Sequence, residues 1–497
     1  MHTSFEITGE PLNLQDIGQI LIKGNTIGIS ATCMDRIQAC RDFLEKAIQL
    51  EGKTWYGINT GFGSLYNVGI SPDATERLQL NLIRSHAAGA GPLVPYEISR
   101  LVLFLKIFSF CPGNSGVRVS LVDKLIEFFN AGLAPAMYQF GSLGASGDLA
   151  PLAHLGLTVI GEGEFVTEDN HVIPAAKQLE ALRISPISLQ AKEGLALING
   201  TQFSVAYSVW ALQKSLHLFD LANLCAALSF DAFNGNPEPF DARIQLIRPH
   251  AGQIHAAAEM RRLLEGSEIA AYGEKHLQDP YAFRCVPQVH GASWDVIAHC
   301  IKVIETEVNS VTDNPLIFPD TKDVLSGGNF HGQPIALAMD YLGLALAELG
   351  SISERRTYQL LCGQRGLPDY LTLEAGVQSG LMIAQYTAAS IVNRNKLLCT
   401  PASIDSIPSS KGQEDHVSMS ANAASKLYEL CDNVHTILSI EFLTAIRALD
   451  FRKPEKTSPQ LELIRDAFLQ IVPAHDDDQI LQTLISKTRE YTAALRM

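Results

Sequence analysis

One loop of this sequence combines residues that could carry out unusual backbone chemistry. Residues 140–155 read FGSLGASGDLAPLAHL, in which Ala145, Ser146 and Gly147 stand directly before Asp148 and an apolar run. Three ordinary interpretations are open: a turn with an aspartate near a helix N-terminus, a nest of backbone N–H groups for an anion, and a nucleophilic serine. The anion nest lacks the lysine of a P-loop. The serine lacks the last glycine of a G-x-S-x-G elbow, because Asp148 occupies that place.

A fourth interpretation makes the backbone itself reactive. If the Gly147 nitrogen attacks the Ala145 carbonyl and two waters leave, one of them from the Ser146 side chain, the segment becomes a methylidene imidazolone. Its exposed CH₂ group would be electrophilic, whereas ordinary side chains offer no electrophile. The reaction favours glycine at 147, because a residue without Cβ permits the close backbone approach, and a small residue at 145.

Six further loops are rich in glycine, asparagine, serine or proline, and helices must bring them to the same place. They lie at 55–63, 84–91, 197–202, 278–292, 326–334 and 409–419.

Helical periodicity dominates the chain between these loops. In 296–308 apolar residues recur at three- and four-residue steps, and DNP at 313–315 ends the helix. The stretches 201–230 and 335–349 are apolar on nearly every face, so other helices must surround them. Strand-like alternation is short and lies mainly in the first 75 residues and in 164–173.

This pattern predicts a mainly α protein, a long-helix bundle with a smaller mixed N-terminal domain. Residues 1–200 would form the N-terminal domain, which carries the Ala-Ser-Gly loop. Residues 201–497 would form the helix bundle and the oligomerisation domain, since so many helix faces lack a solvent side.

The composition restricts the class of protein. Hydrophobic residues make up 46% of the 497 residues, and the formal net charge of -15 argues against nucleic acid as a partner. The 9 cysteines are scattered and include no C-x-x-C pair, which favours reduced thiols and no metal site. The N-terminus lacks the features of a signal peptide, and no apolar run is long enough and free enough of charge to span a membrane. We therefore expect a soluble cytoplasmic protein without a membrane partner.

The run GSLGASGDLAPLAHL resembles the signature of the aromatic amino acid ammonia-lyases and aminomutases, in which Ala-Ser-Gly becomes a methylidene imidazolone autocatalytically. All seven loops occur in family order from about residue 55 to about residue 450. The resemblance implies the ammonia-lyase/fumarase-aspartase type of fold, elimination of ammonia from an amino acid, and a homotetramer with composite active sites. Within the family, the sequence is most similar to the bacterial histidine-specific enzymes, which convert L-histidine to trans-urocanate.

The resemblance also assigns roles to individual residues. It implies that Ala145, Ser146 and Gly147 supply the electrophile, and that Tyr56 in WYGINTGFG and Tyr281 in QDPYAFRC are catalytic. Taken without the motif, a tyrosine before glycine is more often a half-buried packing residue.

The same resemblance implies a set of binding residues. Arginine suits a substrate carboxylate because its planar fork pairs with both oxygens. The implied contacts are Arg284 to that carboxylate, Gln278 to the substrate, Asn199 and Gln202 in LINGTQ to the prosthetic group, Asn199 also to the substrate, and Phe330 in GGNFHGQP beside both.

Two residues bear on the choice of substrate. Ser85-His86 matches the pair of histidine-specific members, although some tyrosine-specific members carry it too. Glu414 in QEDHVSM discriminates better, because tyrosine and phenylalanine enzymes usually have an amide there, and only a carboxylate can hold a proton against an imidazole. Histidine is therefore the predicted substrate and Glu414 a predicted catalytic residue, with a tyrosine ammonia-lyase or aminomutase as the alternative.

Some features depart from the histidine-specific pattern. Val377, Gln378 and Leu381 replace common family residues, Tyr386 also occurs in a tyrosine aminomutase, and Ser420 stands where glycine is usual. A fumarase/aspartase-type lyase would share the long helices, but its G-S-S-x-x-M-P-x-K-x-N loop is missing from the sequence. A noncatalytic helical assembly protein would explain the helices without explaining the polar loops.

Overall fold

The computed structural model describes residues 3–50, 55–65, 67–71, 74–271 and 273–496. These residues form nineteen α-helices: α1 (Leu14–Ile20), α2 (Ala31–Leu50), α3 (Thr75–His86), α4 (Tyr96–Phe110), α5 (Val119–Asn130), α6 (Ala150–Val159), α7 (Ala175–Leu182), α8 (Glu193–Ile198), α9 (Gln202–Ala232), α10 (Ala242–Leu246), α11 (Ala251–Leu263), α12 (Glu268–Ala271), α13 (Tyr281–Arg284), α14 (Val286–Val308), α15 (Gln333–Leu360), α16 (Met382–Leu398), α17 (Ser420–Leu449), α18 (Pro459–Leu469) and α19 (Leu481–Ala494). The prediction of a mainly α protein is confirmed.

Short strands make up four small sheets. The strands are β1 (Ser4–Ile7), β2 (Thr26–Ile29), β3 (Ala90–Leu93), β4 (Ala134–Pro135), β5 (Tyr138–Phe140), β6 (Glu164–Val166), β7 (Val172–Pro174), β8 (Leu316–Phe318) and β9 (Asp323–Leu325). β1 and β2 are parallel, with Ser4 opposite Thr26, and the pairs β3–β5, β4–β6, β6–β7 and β8–β9 are antiparallel.

The β6–β7 hairpin falls in the predicted segment 164–173, whereas five other strands lie outside the segments expected to alternate. That part of the prediction was wrong because strands of two to four residues are too short to display a period of two.

The chain forms two compact units. The first contains residues 1–210, 301–340 and 401–425, and the second contains 211–300, 341–400 and 426–497. All nine described strands belong to the first unit, while the described elements of the second are helical. The units interleave along the chain, whereas the predicted domains 1–200 and 201–497 are continuous segments. That continuous division stays a prediction.

The longest helices are apolar around most of their circumference, as the sequence indicated. In α9 the apolar side chains of Phe203, Val209, Leu221 and Leu228 are all buried, together with the serines among them. α15 is long and apolar enough to cross a membrane by length and composition, and 67% of its most apolar window is buried within the protein. This burial is typical of a core helix.

Candidate active site

The Ala-Ser-Gly segment lies in the loop between β5 and α6, in the first unit. Gly147 has a φ of +76° and pairs with Gly200 of the LINGTQ loop, and a Cβ at position 147 would collide with the Gly200 backbone. Asp148 N donates to Gly200 O at 2.7 Å and extends the pairing. Because the two loops lie against each other along their backbones, only glycine fits at position 147.

Asp148 anchors this loop to the start of α9. Its Oδ2 accepts hydrogen bonds from Phe203 N at 2.8 Å and Ser204 N at 3.1 Å, and its Oδ1 accepts one from the Ser204 hydroxyl. Burial raises the pKa of this carboxyl to about 6, although these hydrogen bonds oppose the shift. The aspartate therefore satisfies free N–H groups at the N-terminus of α9, and not those of α6, which follows it directly.

Two polar contacts hold Ser146. Its Oγ donates a hydrogen bond to Glu414 Oε1 at 2.6 Å, and its carbonyl oxygen accepts one from Asn199 Nδ2 at 2.9 Å. The serine is half-buried. Ser146 thus lies between a carboxylate and an amide.

Glu414 is held in place by its own loop. Ser409 Oγ donates to Glu414 Oε2 at 2.6 Å, and Ser409 N donates to Glu414 O at 2.8 Å. Each carboxylate oxygen therefore accepts a hydrogen bond from a different hydroxyl. These two hydrogen bonds fix the orientation of the Glu414 carboxylate.

Tyr56 lies on the same cavity as Ser146 and Glu414. Its hydroxyl oxygen accepts a hydrogen bond from Gly63 N at 3.1 Å. Burial raises the pKa of the Tyr56 phenol, the Gly63 hydrogen bond lowers it, and the negative charge of Glu414 raises it further. The phenol is consequently protonated at neutral pH.

The cavity has a volume of about 570 Å³ and is formed within the first unit. Its lining residues come from five of the predicted loops and from Asn314, which lies between α14 and β8. The lining residues are Tyr56, Gly63, Ala145, Ser146, Asn199, Asn314, Ser326, Gly327, Phe330, His331, Gln413, Glu414, Asp415 and His416. Its size suits a small amino acid.

His86 ends α3 and has a defined tautomer. Its Nδ1 lies 2.9 Å from Leu82 O, and because a carbonyl can only accept, Nδ1 carries the proton. Burial lowers the pKa of His86, while the Leu82 hydrogen bond and the charge of Glu414 raise it. His86 is not among the cavity's lining residues, so its role toward a substrate stays a prediction.

A model of the aromatic amino acid lyase family matches residues 12–470. The chain belongs to this family. It is 49% identical over 452 residues to a histidine ammonia-lyase of Deinococcus radiodurans, which covers 90% of this chain and 86% of that protein. The family resemblance and the prediction of a lyase are thereby confirmed.

Solved structures of the aromatic amino acid lyase family share the fold. The crystal structure of histidine ammonia-lyase from Trypanosoma cruzi is similar with a TM-score of 0.92 and 39% identity, covering 99% of this chain and 94% of that one. A tyrosine aminomutase from Streptomyces globisporus gives a TM-score of 0.94 at 33% identity, covering 99% and 97%. The backbone alone therefore does not distinguish the two substrates.

Gln278, Tyr281 and Arg284 belong to the second unit and are not among the lining residues of the cavity. Gln278 and Arg284 line a separate cavity of about 310 Å³ within that unit. The Arg284 guanidinium lies 4.4 Å from the centre of the Tyr281 ring. Tyr281 itself is 69% exposed. Their roles in a lyase of this family stay predictions.

Gln202 at the start of α9 contacts Thr312 through its side-chain amide. Its Nε2 donates to Thr312 Oγ1 at 3.0 Å, and it is not among the residues that line the cavity. Its predicted contact to the prosthetic group remains a prediction.

Sequence reasoning missed the contribution of Asn314. The sequence DNP at 313–315 predicts only the end of a helix, yet Asn314 Oδ1 accepts a hydrogen bond from Gly327 N at 2.8 Å and the residue lines the cavity. Its neighbour Asp313 forms a buried ion pair with Lys192 at 2.7 Å. The only signal in the sequence was a polar pair placed a few residues after an amphipathic helix. In the described ranges, no three His, Cys, Asp or Glu side chains form a cluster that could hold a metal ion.

Proposed function

We propose that the protein is a histidine ammonia-lyase, which eliminates ammonia from L-histidine without oxidation and gives trans-urocanate. The observation that carries the proposal is the single cavity in which Ser146, Glu414 and Tyr56 meet. The similarity to histidine ammonia-lyases over most of the chain supports the same reaction. The amine and the β-proton are both reluctant to leave, so this elimination needs an electrophile and positioned proton-transfer groups.

The residues around the Ala-Ser-Gly loop fit a methylidene imidazolone. Cyclisation removes the Ala145 carbonyl oxygen and the Ser146 hydroxyl as water, and the Ser146 carbonyl oxygen remains. That remaining oxygen is the one that accepts from Asn199 Nδ2. Asn199 Oδ1 is buried and has no hydrogen-bond partner among the described residues, which leaves one acceptor for a group formed there.

The prosthetic group would supply an electrophilic methylidene carbon to the cavity. Asn199 would hold its carbonyl oxygen, and Phe330 on the cavity wall would pack beside it, as the family resemblance implies. Gln202 is the further family contact that we propose. No metal is needed for this chemistry.

The chain's own groups would move the protons and bind the substrate ring. Tyr56 is protonated at neutral pH and accepts the Gly63 N–H, a hydrogen bond that also stabilises its phenolate. It can therefore exchange a proton with the β-carbon or the amine of the substrate. Glu414 can accept from or protonate an imidazole, and His86 would contribute its unprotonated Nε2 as an acceptor.

Glu414 is also the reason to prefer histidine over tyrosine. A carboxylate can exchange a proton with an imidazole, whereas a phenol ring has no such need on that side. The two hydroxyl donors on Glu414 keep it fixed on the cavity wall.

We further propose a homotetramer in which neighbouring subunits complete each active site. In the second unit, Tyr281 of the predicted active-site loop is 69% exposed and Leu277, which directly precedes that loop, is 96% exposed, so two large side chains lie uncovered side by side with the predicted site residues. Arg284 Nε is buried and lacks a partner among the described residues, although arginine is suited to bind a substrate carboxylate. These features support a loop whose partners lie on another subunit. We place the enzyme in the cytoplasm, with an amino acid as its partner and neither nucleic acid nor membrane.

The experiment is to incubate the pure protein separately with histidine, tyrosine and phenylalanine and to record ultraviolet spectra. With histidine, we expect the ultraviolet absorbance of the conjugated acid to appear, and we expect one ammonia to be released for each molecule of that acid. Product from tyrosine alone would overturn the histidine assignment. A β-amino acid in place of the free ammonia would identify an aminomutase. The Ser146→Ala variant is the control for reaction without the prosthetic group.

A further inference from the structure

A buried lysine lies beneath the loop that holds the prosthetic segment. Lys106, on α4, is 1% exposed. Its Nζ donates to two main-chain oxygens, Ala196 O at 3.1 Å and Asn199 O at 2.8 Å. Lysine is almost never fully buried unless its charge is compensated, so this placement calls for an explanation.

The two acceptors lie at the C-terminus of α8. The last carbonyl groups of a helix receive no hydrogen bond from an N–H group of the same helix. They also form the negative end of the helix dipole. A cation there is stabilised by the dipole, and the charges of Asp313 and Asp148 also favour the ammonium. Burial nevertheless lowers the pKa of Lys106 to about 7. Burial therefore disfavours the ammonium form of Lys106, although the helix terminus and the two aspartates oppose that effect.

The same residue that accepts from Lys106 contacts the prosthetic segment. Asn199 O accepts from Lys106, Asn199 Nδ2 donates to Ser146 O at 2.9 Å, and the next residue pairs with Gly147. A continuous chain of contacts thus runs from the α4 ammonium to the carbonyl oxygen that would stay in the ring.

We propose that Lys106 is a positioning residue, which fixes the Asn199 main chain and thereby holds the Asn199 amide on the Ser146 carbonyl. This inference rests on the proposed function. Without Lys106, Asn199 O would lose its partner, the 199–200 segment could shift, and the amide would no longer be aligned. A displacement of about 1 Å at a reacting group can cost about 100-fold in rate.

Arg100 offers a matched control on the same helix. It is buried to 7% exposure, donates from Nη1 to Phe129 O at 2.9 Å, and lies 4.0 Å from the centre of the Phe129 ring. Lys106 likewise donates to main-chain oxygens and lies 5.7 Å from the Phe110 ring centre. Arg100 makes none of its contacts to the 199–200 segment, so Arg100→Met tests the loss of a buried cation alone.

The experiment compares Lys106→Met, Lys106→Arg and Arg100→Met, each measured by intact mass, by kcat and KM on histidine, and by melting temperature. We expect Lys106→Met to lower kcat about 100-fold with little change in KM, and to leave part of the chains at the full translated mass. Lys106→Arg should recover most of both properties, because it restores a cationic donor. Arg100→Met should mature fully and keep its kcat, with only a lower melting temperature.

A double-mutant cycle separates positioning from general packing. If Lys106 acts through the Asn199 amide, Lys106→Met should cost little further maturation or kcat in an Asn199→Ala background. An undiminished loss in that background would overturn the inference, as would parental kcat in Lys106→Met or equal losses in Lys106→Met and Arg100→Met.

Folding and function must be kept apart in this test. If Lys106→Met is insoluble, Lys106→Gln keeps a neutral donor and takes its place. Failure of every Lys106 variant to fold while Arg100→Met folds would assign Lys106 a general structural role and overturn the inference. If the parent protein turns over histidine but Lys106 variants behave normally, only this inference fails. A parent without histidine turnover contradicts the proposed function instead.

Discussion

Glu414 and Ser146 are 268 positions apart in sequence, yet the Glu414 carboxylate accepts a 2.6 Å hydrogen bond from the Ser146 hydroxyl. Each partner is fixed independently, Glu414 by Ser409 and the Ser146 loop by its backbone pairing with Gly200. The contact therefore places a carboxylate directly beside the segment that would become the electrophile. Such fixed geometry is the condition under which a carboxylate contributes to catalysis.

Glu414→Gln should separate the proposed substrates. An isosteric amide cannot exchange a proton with an imidazole, so we expect turnover of histidine to fall about 10²- to 10⁴-fold, while any weak activity on tyrosine changes little or rises. Steady-state kinetics on both amino acids, with the intact mass as a measure of maturation, provide the check. Asp415→Asn removes one negative charge from the next residue of the same loop and should cost far less. An unaltered histidine rate in Glu414→Gln would contradict the role of this carboxylate.

Gly147→Ala should block maturation. The residue has a φ of +76°, and a Cβ would strike the Gly200 backbone, so the loop could not close. The matched control is Gly376→Ala, since Gly376 has a φ of +99° and no atoms within 4 Å of an added Cβ. We expect the full translated mass from Gly147→Ala and a matured mass from Gly376→Ala. If both variants mature, steric fit does not govern the loop.

Much of the site could be predicted from the sequence, because its residues lie in short loop motifs that are recognisable by their glycine, asparagine and serine residues. Tyr56, Asn199, Phe330 and Glu414 lie on one cavity, as their motifs indicated. The partners that hold those loops were not predictable. Asp148 caps α9, 55 positions along the chain, and periodicity says nothing about which helix end a distant carboxylate reaches.

Two further features required the tertiary structure. Lys106 lies in an apolar stretch of α4 and gave no sign of contact with Asn199, because main-chain acceptors leave no trace in residue types. Gln202 belongs to the expected motif, and its contact with Thr312, 110 positions away, could not be predicted from the sequence. A motif indicates which residues are near the site, whereas packing decides where each side chain points.

Asp231 should make the stability of the protein depend on pH. Its Oδ2 accepts from Ser267 Oγ at 2.7 Å and Thr457 Oγ1 at 2.5 Å, and burial raises its pKa from 3.8 to about 6. Because the folded-state pKa is the higher one, this stability contribution is fully present below about pH 4 and is lost as pH rises through about 6.

The test is the free energy of unfolding of Asp231→Asn relative to the parent between pH 4 and pH 8. The variant should gain on the parent as pH rises, by at most about 3 kcal/mol, and the difference should level off above pH 7. Asp241→Asn, at a half-buried carboxylate that pairs with Arg243, is the control. A difference that is constant across this range would show that Asp231 is not the titrating group.

Two inactive variants should complement each other if active sites are composite. Tyr56 and Arg284 would come from different subunits, so a mixed oligomer of Tyr56→Phe and Arg284→Ala chains would contain some sites with both native residues. We expect histidine turnover to reappear after subunit exchange and to be absent from either variant alone. Mixing two batches of the same variant is the control. A fully active monomer would refute the composite site.

The central claim is that Ala145, Ser146 and Gly147 cyclise, and the intact mass of the purified chain tests it most directly. We predict a mass two water molecules below the translated value for the parent, together with turnover of histidine. Ser146→Ala should lack this two-water deficit and lose nearly all activity, because it has no hydroxyl to eliminate. An active parent protein at its full translated mass would contradict the account.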